Sequence, residues 1–202
     1  MVDRNSQFIA QFGDPVNNAQ MYPVVTLKEV SISSLSYGST SSAVEFDGKT
    51  RYIRITDIAE DGSLGSDIKS AAKSEDKYLL HEGDILFART GATVGKTFRY
   101  RKKDGRAIFA GFLIRLIPNT TLIDPDYLYH FTKSDYYWDF VKSAQRVVAQ
   151  PNINAQEYGD LKLLLPPLSA QRRFATFVQQ SDKSKFAALN VSNLNLSLYL
   201  IR

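Results

Sequence analysis

Short apolar runs in the middle of the chain follow the two-residue period that is typical of β-strands. Residues 51–58 (RYIRITDI) alternate between two sets of side chains, and residues 83–88 (GDILFA) form a short apolar run entered through a glycine. Between the β-rich arms of residues 97–118 lies Asp104-Gly105, a dipeptide that favours tight hairpins because both residues tolerate positive φ. The pattern predicts strands in all three segments and a β-hairpin at Asp104-Gly105.

Apolar residues at helical spacing predict helices near both ends of the chain and after the strands. Residues 6–18 (SQFIAQFGDPVNN) indicate a short helix that ends at Gly13. Residues 124–144 place aromatic side chains at helical spacings behind Asp124, a suitable N-cap, and predict one or two helices. Residues 161–165 return to strand character before two prolines interrupt the chain, and an amphipathic helix follows.

These elements divide the chain into a helical lead-in (1–20), a globular domain (21–167) and a C-terminal helix (168–202). Much of the surface of this last helix is polar, so we expect it to leave the globule and to be exposed. The leucines within residues 192–202 alternate with mostly polar neighbours, which is a strand period. The helix is therefore expected to end before the chain does.

Composition favours a folded, soluble chain without metal or disulfide chemistry. Of 202 residues, 44% are hydrophobic and 23% are charged, and the absence of cysteine excludes disulfides, thiol catalysis and cysteine-ligated metals. The two histidines, His81 and His130, are too far apart in sequence to form a helical metal motif. The start of the chain does not resemble a signal peptide, and no run approaches the ~20 apolar residues of a membrane span, so we expect a cytoplasmic protein. A net charge of +4 permits a nucleic-acid partner without requiring one.

Residues 90–97 (TGATVGKT) come close to a phosphate-binding loop, which follows a strand and reads G-x-x-x-x-G-K-[ST]. Thr90 stands where the first glycine is required, and the β-branched, aromatic and basic residues that follow do not favour the necessary helix. A turn in which two glycines supply backbone freedom fits better than a nucleoside triphosphatase. The side chains on such a turn that could contact a phosphate backbone are Arg89, Thr90, Thr93 and Lys96.

The densest positive cluster of the sequence overlaps the end of this turn, with two aromatic residues interleaved. Its members are Lys96, Arg99, Arg101, Lys102, Lys103 and Arg106. Asp104 is the single acid among them. A solvated hairpin tip and a DNA contact explain any one of these residues equally well, and only the clustering favours DNA.

Residues 144–154 (AQRVVAQPNIN) contain side chains that can form bidentate contacts with the edges of adenine or guanine, namely Arg146, Gln150, Asn152 and Asn154. The same residue types are common in loops, and composition alone favours a loop. The aromatic residues within 127–138 likewise favour a core over a stacking platform for bases. No carboxylate spacing matches a calcium loop or a nuclease site, so we assign no catalytic residue.

Four segments together carry a resemblance that none of them carries alone. They are YIRITDI (52–58), GDILFARTGATVGK (83–96), QPNIN (150–154) and LPPLSAQRRF (165–174). In order and spacing they resemble the specificity subunits of type I restriction-modification systems. Residues 6–18 and 180–186 are similar to the lead-in and the spacer helix of that family. Ser169-Ala170 is a departure, because the family usually has Ala-Glu before the glutamine.

The resemblance implies an α/β (α+β) fold with a twisted, mostly antiparallel sheet, flanking helices and an exposed C-terminal spacer helix. It also implies half a specificity subunit, with one target recognition domain that reads double-stranded DNA and has neither a cofactor nor catalysis of its own. Methyltransferase subunits and, indirectly, a restriction subunit are the implied protein partners. Two copies would pair through the C-terminal helix and read an interrupted palindrome. The residues expected at that contact are Phe174, Phe177, Val178 and Leu189.

For DNA recognition we expect basic side chains of residues 89–106 to hold phosphates. Residues 37–41, with Tyr37 and Ser39 among them, would join Gln150 and Asn152 at base edges in the major groove. Two alternatives stay open at this point. One is a truncated cassette that pairs with another protein through the C-terminal helix without binding DNA, and the other is a nucleoside triphosphatase that depends on Lys96.

Overall fold

A computed structural model describes residues 4–145 and 151–181 of the chain. The helices in these ranges are α1 (Arg4–Phe12), α2 (Pro125–Phe131), α3 (Asp135–Gln145) and α4 (Ala155–Asp160), and residues 168–181 belong to the C-terminal helix. The strands are β1 (Val24–Thr26), β2 (Ser36–Tyr37), β3 (Ala43–Glu45), β4 (Arg51–Ile53), β5 (Lys69–Ala71), β6 (Ile85–Ala88), β7 (Thr97–Arg99), β8 (Ala107–Phe109), β9 (Leu113–Leu116) and β10 (Lys162–Leu164). None of the helices described is long and apolar enough to cross a membrane.

A four-stranded antiparallel sheet in the order β2-β9-β6-β7 lies at the centre of the fold. Every residue of β6 and β9 is buried, and successive side chains of a strand point to opposite faces of the sheet. Ile85 and Phe87 belong to a larger core that includes residues of the helices, whereas Leu86 and Ala88 belong to a second core. Burial on both faces explains why residues 85–88 of the GDILFA segment are all apolar instead of alternating.

Three two-stranded sheets accompany the central one. β1 pairs with β10 and β3 pairs with β5, both in antiparallel orientation, whereas β4 pairs with β8 in parallel. The prediction of a mixed fold with mostly antiparallel strands and flanking helices is therefore confirmed. The strands are short and shared among several small sheets, so loops form much of the surface between them.

The hairpin predicted at Asp104-Gly105 is wrong. Asp104 ends a short 3₁₀ turn, in which its carboxylate accepts a hydrogen bond from the backbone N–H of Arg101, and Gly105 takes a φ of 78°. This turn does not return the chain onto β7, because β8 pairs with β4 and buries Ile108 completely. The actual hairpin joins β6 to β7, with Ile85 opposite Arg99, through the glycine-containing turn at residues 89–96.

Local signals predict the start or the end of two helices correctly. α1 ends at Phe12, and Gly13 follows with a φ of 75°. A Cβ atom at Gly13 would lie 2.4 Å from the carbonyl oxygen of Asn17, so a larger residue would displace the backbone there. α2 begins after Asp124, whose carboxylate accepts hydrogen bonds from the backbone N–H groups of Asp126 and Tyr127.

The described part of the C-terminal helix lies against the domain and does not stand away from it. Phe174 and Val178, four residues apart on one face, are buried in the larger core. The side chain of Gln171 is fully buried, and its amide oxygen accepts a hydrogen bond from the backbone N–H of Asp124 at 2.8 Å. The amide nitrogen of Gln171 donates to two backbone carbonyls. These contacts fix the direction of the helix relative to α2, and only its outward face is exposed.

Candidate nucleic-acid interface

Four of the residues predicted to contact DNA meet at one end of the central sheet, and we call them the Arg89 cluster: Tyr37, Arg89, Thr90 and Asn152. Arg89 follows β6 directly, and its guanidinium carbon lies 4.8 Å from the centroid of the Tyr37 ring. The hydroxyl of Tyr37 accepts a hydrogen bond from the backbone N–H of Ala155 at 3.1 Å. The ring is therefore held in place beneath the guanidinium, which restricts the directions in which Arg89 can donate.

Backbone pairing connects the segment of Arg89 to the QPNIN segment, although the two are about sixty residues apart. The backbone N–H of Ile153 donates to the carbonyl of Arg89 at 2.8 Å, and the N–H of Gly91 donates to the carbonyl of Pro151 at 3.3 Å. Thr90 and Asn152 form an antiparallel bridge between the segments. Two motifs that the sequence predicts separately are thus parts of one surface.

The two asparagines of this segment have different environments. Asn152 is exposed beside Thr90. Asn154 is the N-cap of α4, and its side-chain oxygen accepts hydrogen bonds from the backbone N–H groups of Gln156 and Glu157. The side-chain oxygen of Asn154 that would accept a hydrogen bond from a base is therefore already used by the helix. We correct the prediction that Asn154 reads a base accordingly.

A cavity of about 560 Å³ opens next to the Arg89 cluster. Its walls are residues 39–43, residues 52–56, the turn at residues 110–112 and the side chain of Arg89. Ser39, a predicted DNA contact, is only 2% exposed, and its hydroxyl accepts a hydrogen bond from the backbone N–H of Ser41. Ser39 therefore shapes the wall of the cavity, and its side chain does not project from the surface.

Arg89 has no carboxylate partner among the residues that the structure describes. Arg54, which also lines the cavity, differs, because it forms ion pairs with Asp57 at 2.6 Å and with Asp67 at 3.0 Å. The hydrogen bond to Asp57, together with the bond to Asp67, raises the pKa of the Arg54 guanidinium above its ordinary value. The Nε atom of Arg89 is buried without a hydrogen-bond partner among the described residues, so only its terminal amino groups can serve an external acceptor, whereas the donors of Arg54 are largely satisfied inside the protein.

Most of the basic cluster at residues 96–106 is paired inside the protein. Lys96 forms an ion pair with Glu60 at 2.7 Å, and the exposed Arg106 pairs with Asp76 at 2.9 Å. Arg99 and Arg101 share the carboxylate of Asp126, at 3.3 and 3.2 Å. Burial lowers the pKa of the Arg99 guanidinium, whose side chain is only 10% exposed. The members that are exposed and have no ion pair within the described residues are Lys102 and Lys103.

Arg99, Arg101, Asp126 and Glu82 form what we call the Arg99 cluster, in which Glu82 lies 3.6 Å from Arg99. This cluster is at the opposite end of the central sheet from the Arg89 cluster, because Arg99 is the register partner of Ile85. Four residues of extended chain separate the two ends, which corresponds to about 13 Å. The positive stretch of the sequence is therefore not one continuous surface.

The segment that approaches a phosphate-binding loop forms a turn between two strands. Gly91–Thr93 is a single 3₁₀ turn, and three residues separate it from β7, which begins at Thr97. The hydroxyl of Thr93 donates to the carbonyl of Thr90 within the turn. Because no helix begins here, the array of N–H groups that a phosphate-binding loop presents to a nucleotide is not formed. The nucleoside triphosphatase alternative is not favoured.

The residues expected to form a dimer contact differ in how far their side chains are exposed. The prediction that Phe174 and Val178 contact a second copy is wrong, because their side chains are buried in the core of the chain, with 1% and 2% of their surface exposed. Phe177 is 49% exposed on the outward face of the C-terminal helix. Three predicted contacts, Arg146, Gln150 and Leu189, lie outside the described residues.

Two residues beside the Arg89 cluster and its cavity are not among the DNA contacts predicted from the sequence. Phe112 is 59% exposed, and its carbonyl oxygen accepts a hydrogen bond from the backbone N–H of Arg89 at 3.1 Å. Lys73 is exposed, and its backbone N–H donates to the hydroxyl of Ser41, which lines the cavity. Nothing in the sequence distinguishes Phe112 from the buried residues of the strand that follows it.

No group of residues within the described ranges has the composition of a metal site.

Comparison with known sequences identifies the family of this chain. The family model described as the type I restriction modification DNA specificity domain matches residues 21–195. The chain is 35% identical over 118 residues to a Methanocaldococcus jannaschii protein assigned as the type I restriction enzyme MjaX specificity subunit, covering 54% of this chain and 27% of that protein. It is 25% identical over 138 residues to the MjaVIII specificity subunit of the same organism, covering 68% and 30%.

Solved structures have a similar fold at low sequence identity. The type I restriction-modification S subunit from M. genitalium gives a TM-score of 0.63 at 16% identity, over 93% of this chain and 50% of that one. The HsdS subunit from Thermoanaerobacter tengcongensis gives 0.62 at 17% identity, over 94% and 44%. The chain spans less than a third of the length of the curated relatives and at most half of these two subunits. It belongs to the family of type I restriction-modification DNA specificity domains.

Proposed function

We propose that this chain binds double-stranded DNA in a sequence-dependent way, as the recognition part of a type I restriction-modification complex. The observation that supports the proposal most strongly is the guanidinium of Arg89, held on the Tyr37 ring without a carboxylate partner among the described residues. A planar fork of donors fits O6 and N7 of guanine in the major groove, which is the commonest specific contact between proteins and DNA. Membership of the family supports the same conclusion.

The other predicted contacts have separate tasks under this proposal. Asn152, exposed beside Thr90, would read an adenine edge. Thr90 and Thr93 lie on the turn that follows Arg89, where they would contact the phosphate backbone. Lys96 would join them after exchanging its ion pair with Glu60 for a phosphate. Lys102 and Lys103 would add positive charge further along the duplex. Phosphate contacts position the protein, and base contacts select the sequence.

Binding to DNA over a series of salt concentrations tests the proposal. We expect the affinity of the full chain for random duplex DNA to fall steeply with salt, because phosphate contacts release counterions. After selection of a preferred sequence from a randomised pool, Arg89→Ala should lower the affinity for that sequence roughly tenfold or more, since one bidentate base contact contributes about 1–3 kcal/mol. Arg172→Ala, on the exposed surface of the C-terminal helix, is the matched control and should bind as the wild type does. A chain that binds no DNA, even beside its methyltransferase subunit, would contradict the proposal.

The chemical steps belong to other subunits in this proposal. Methyltransferase subunits would bring S-adenosylmethionine and methylate the DNA, and a restriction subunit would cleave it, so the chain itself would need no cofactor and would act in the cytoplasm. Copurification tests the assembly. The full chain should retain a methyltransferase subunit of the same system, and the complex should methylate only duplexes that carry the selected sequence.

We infer further that two copies of the chain pair through the C-terminal helix. The exposed ring of Phe177 supports this, because an apolar side chain on the outward face of the helix would be buried between two symmetric copies. A dimer by mass in solution, converted towards a monomer by Phe177→Glu, is the expected result. A wild-type chain that is monomeric at all accessible concentrations would exclude the pairing but would leave the proposal for DNA untouched.

A further inference from the structure

The cavity beside Arg89 has a rim that is fixed by internal contacts. The hydroxyl of Tyr52 lies 2.7 Å from the carbonyl oxygen of Ser39 and 2.9 Å from that of Ser41, and the backbone N–H of Gly111 donates to the carbonyl of Ser39 at 2.7 Å. Gly38 permits this arrangement, since a Cβ atom there would lie 2.3 Å from a backbone carbonyl oxygen. The shape of the cavity is therefore largely set before a ligand arrives.

The interior of this cavity is mainly apolar, although it is open to the surface. Ala43, Ile55 and Phe112 contribute apolar side chains, and Phe112 is 59% exposed at the edge nearest Arg89. Leaving a phenyl ring in water on a rigid turn forgoes the stabilisation that burial would give. An apolar partner group that reaches this edge would therefore be bound favourably.

The charge around the cavity identifies the kind of molecule that carries this apolar group. The lining includes no acidic residue, and of its two arginines Arg54 is neutralised by Asp57 and Asp67 whereas Arg89 is not. Lys73 is exposed, and its backbone N–H donates to the lining residue Ser41. Neither Arg89 nor Lys73 has a carboxylate partner among the described residues. An arginine without a carboxylate partner at the edge of an apolar interior fits an anionic polymer whose inward edge carries an apolar group. In the major groove of DNA, the apolar group that base edges present is the methyl group at C5 of a pyrimidine.

We propose that the Phe112 side of the cavity binds the C5-methyl group of a pyrimidine, next to the base that Arg89 reads. This inference rests on the proposed function and names one of the bases that the chain would select. Thymine carries the methyl group in ordinary DNA, and 5-methylcytosine would present the same group. Phe112 would then determine specificity at one position, whereas Arg89 determines it at the neighbouring one.

Selection from randomised duplex pools tests the proposal, with the full chain and its Phe112→Ala variant used in parallel. One pool contains thymine, a second contains deoxyuridine in place of every thymidine, and a third combines deoxyuridine with 5-methyldeoxycytidine in place of deoxycytidine. We expect the wild type to select thymine at one position of the first pool and to lose that preference in the second, with an affinity lower by roughly fourfold, which corresponds to burial of one methyl group at about 0.8 kcal/mol. Selection of the methylated cytosine at that position in the third pool would identify the methyl group itself as the feature bound.

Two further variants separate a methyl contact from a general loss of structure. Phe112→Leu keeps an apolar side chain and should retain the preference, whereas Phe112→Ala should lose it while binding random DNA with an unchanged salt dependence. Phe46→Ala removes a ring that is also partly exposed but does not line the cavity, and it should behave as the wild type. A wild type that selects a sequence equally well from the thymine and deoxyuridine pools would overturn the methyl proposal alone. A wild type that binds none of the pools would overturn the proposed function together with it.

Discussion

Arginine stands at both ends of the β6–β7 hairpin, but its charge is neutralised within the protein at only one of them. In the Arg99 cluster two arginines share Asp126, which is 7% exposed, and the side chain of Arg99 is almost buried. In the Arg89 cluster the guanidinium lies on a tyrosine ring, and no carboxylate of the described residues reaches it. The positive charge of the Arg99 cluster stabilises the fold through ion pairs, whereas that of Arg89 remains available to an external acceptor.

The difference teaches that the density of basic residues along a chain does not identify a DNA-binding surface. Six basic residues fall within 96–106, but the carboxylates that neutralise four of them come from positions 60, 76, 82 and 126. Folding brings these acids to the stretch because β7 packs beside α2 and β8 enters a different sheet. An isolated arginine at the end of a strand is in this case the better candidate.

The largest effect should come from removing the shared acid of the Arg99 cluster. Asp126→Ala leaves the buried Arg99 with Glu82 alone as its counter-charge and also removes the acceptor of Gln179, so we expect the free energy of unfolding to fall by about 3 kcal/mol. Urea unfolding measures the change. Asp139→Ala, which removes an exposed ion pair with Lys142, is the control and should stay within about 0.5 kcal/mol of the wild type. Equal losses for both variants would contradict an internal role of the Arg99 cluster.

At the other end, Arg89→Lys keeps the charge and removes the planar fork. We expect the affinity for the selected sequence to fall roughly tenfold, about 1.4 kcal/mol, since lysine cannot form the bidentate contact. Binding to random DNA and its dependence on salt should hardly change, because the number of positive charges is the same. Fluorescence titration with selected and random duplexes measures both quantities. A parallel loss on both duplexes would mean that Arg89 contacts a phosphate and not a base.

A smaller effect should follow from changing the ring beneath Arg89. Tyr37→Leu keeps an apolar side chain but removes the stacking surface, and a cation–π contact at an exposed site contributes about 0.5–1 kcal/mol. We therefore expect the affinity for the selected duplex to fall roughly threefold. Tyr37→Phe keeps the ring and removes only the acceptor for Ala155, so it separates stacking from the hydrogen bond. If Phe and Leu at this position weaken binding equally, the ring does not position Arg89.

The sequence predicts those parts of the fold that depend on neighbouring residues. The end of α1 at Gly13, the N-cap at Asp124 and the turn through Gly91 and Gly95 are local features, and each is found as expected. The hairpin at Asp104-Gly105 fails because its turn chemistry is compatible with several continuations. The choice among them is made by the parallel pairing of β8 with β4, a contact across more than fifty residues.

The candidate site is predicted in part for the same reason. Arg89, Thr90 and Asn152 belong to motifs that can be recognised in the sequence, and the structure brings them together by a backbone bridge. From sequence, Asn154 is either a base contact or an ordinary loop residue, and only the structure shows that it is the N-cap of α4. The periodicity of the sequence does not identify Phe112, because the mostly apolar residues 107–117 give no sign that one of them lies on an exposed turn.

The smallest effect, from Asp76→Ala, decides where the DNA-binding surface ends. Arg106 and Asp76 form an exposed pair at 2.9 Å, with side chains 53% and 86% accessible, so the free energy of unfolding should change by less than about 0.5 kcal/mol. If Arg106 contacts a phosphate, releasing it from Asp76 should raise the affinity for random DNA about twofold and steepen its salt dependence by up to about one counterion. The measurement is a salt series, with Arg106→Ala as the matched control that should shift the slope in the opposite direction. If neither variant changes the affinity or the salt dependence, Arg106 does not contact DNA, and its charge is neutralised within the protein like those of the Arg99 cluster. The surface that contacts DNA would then be confined to the Arg89 end of the sheet.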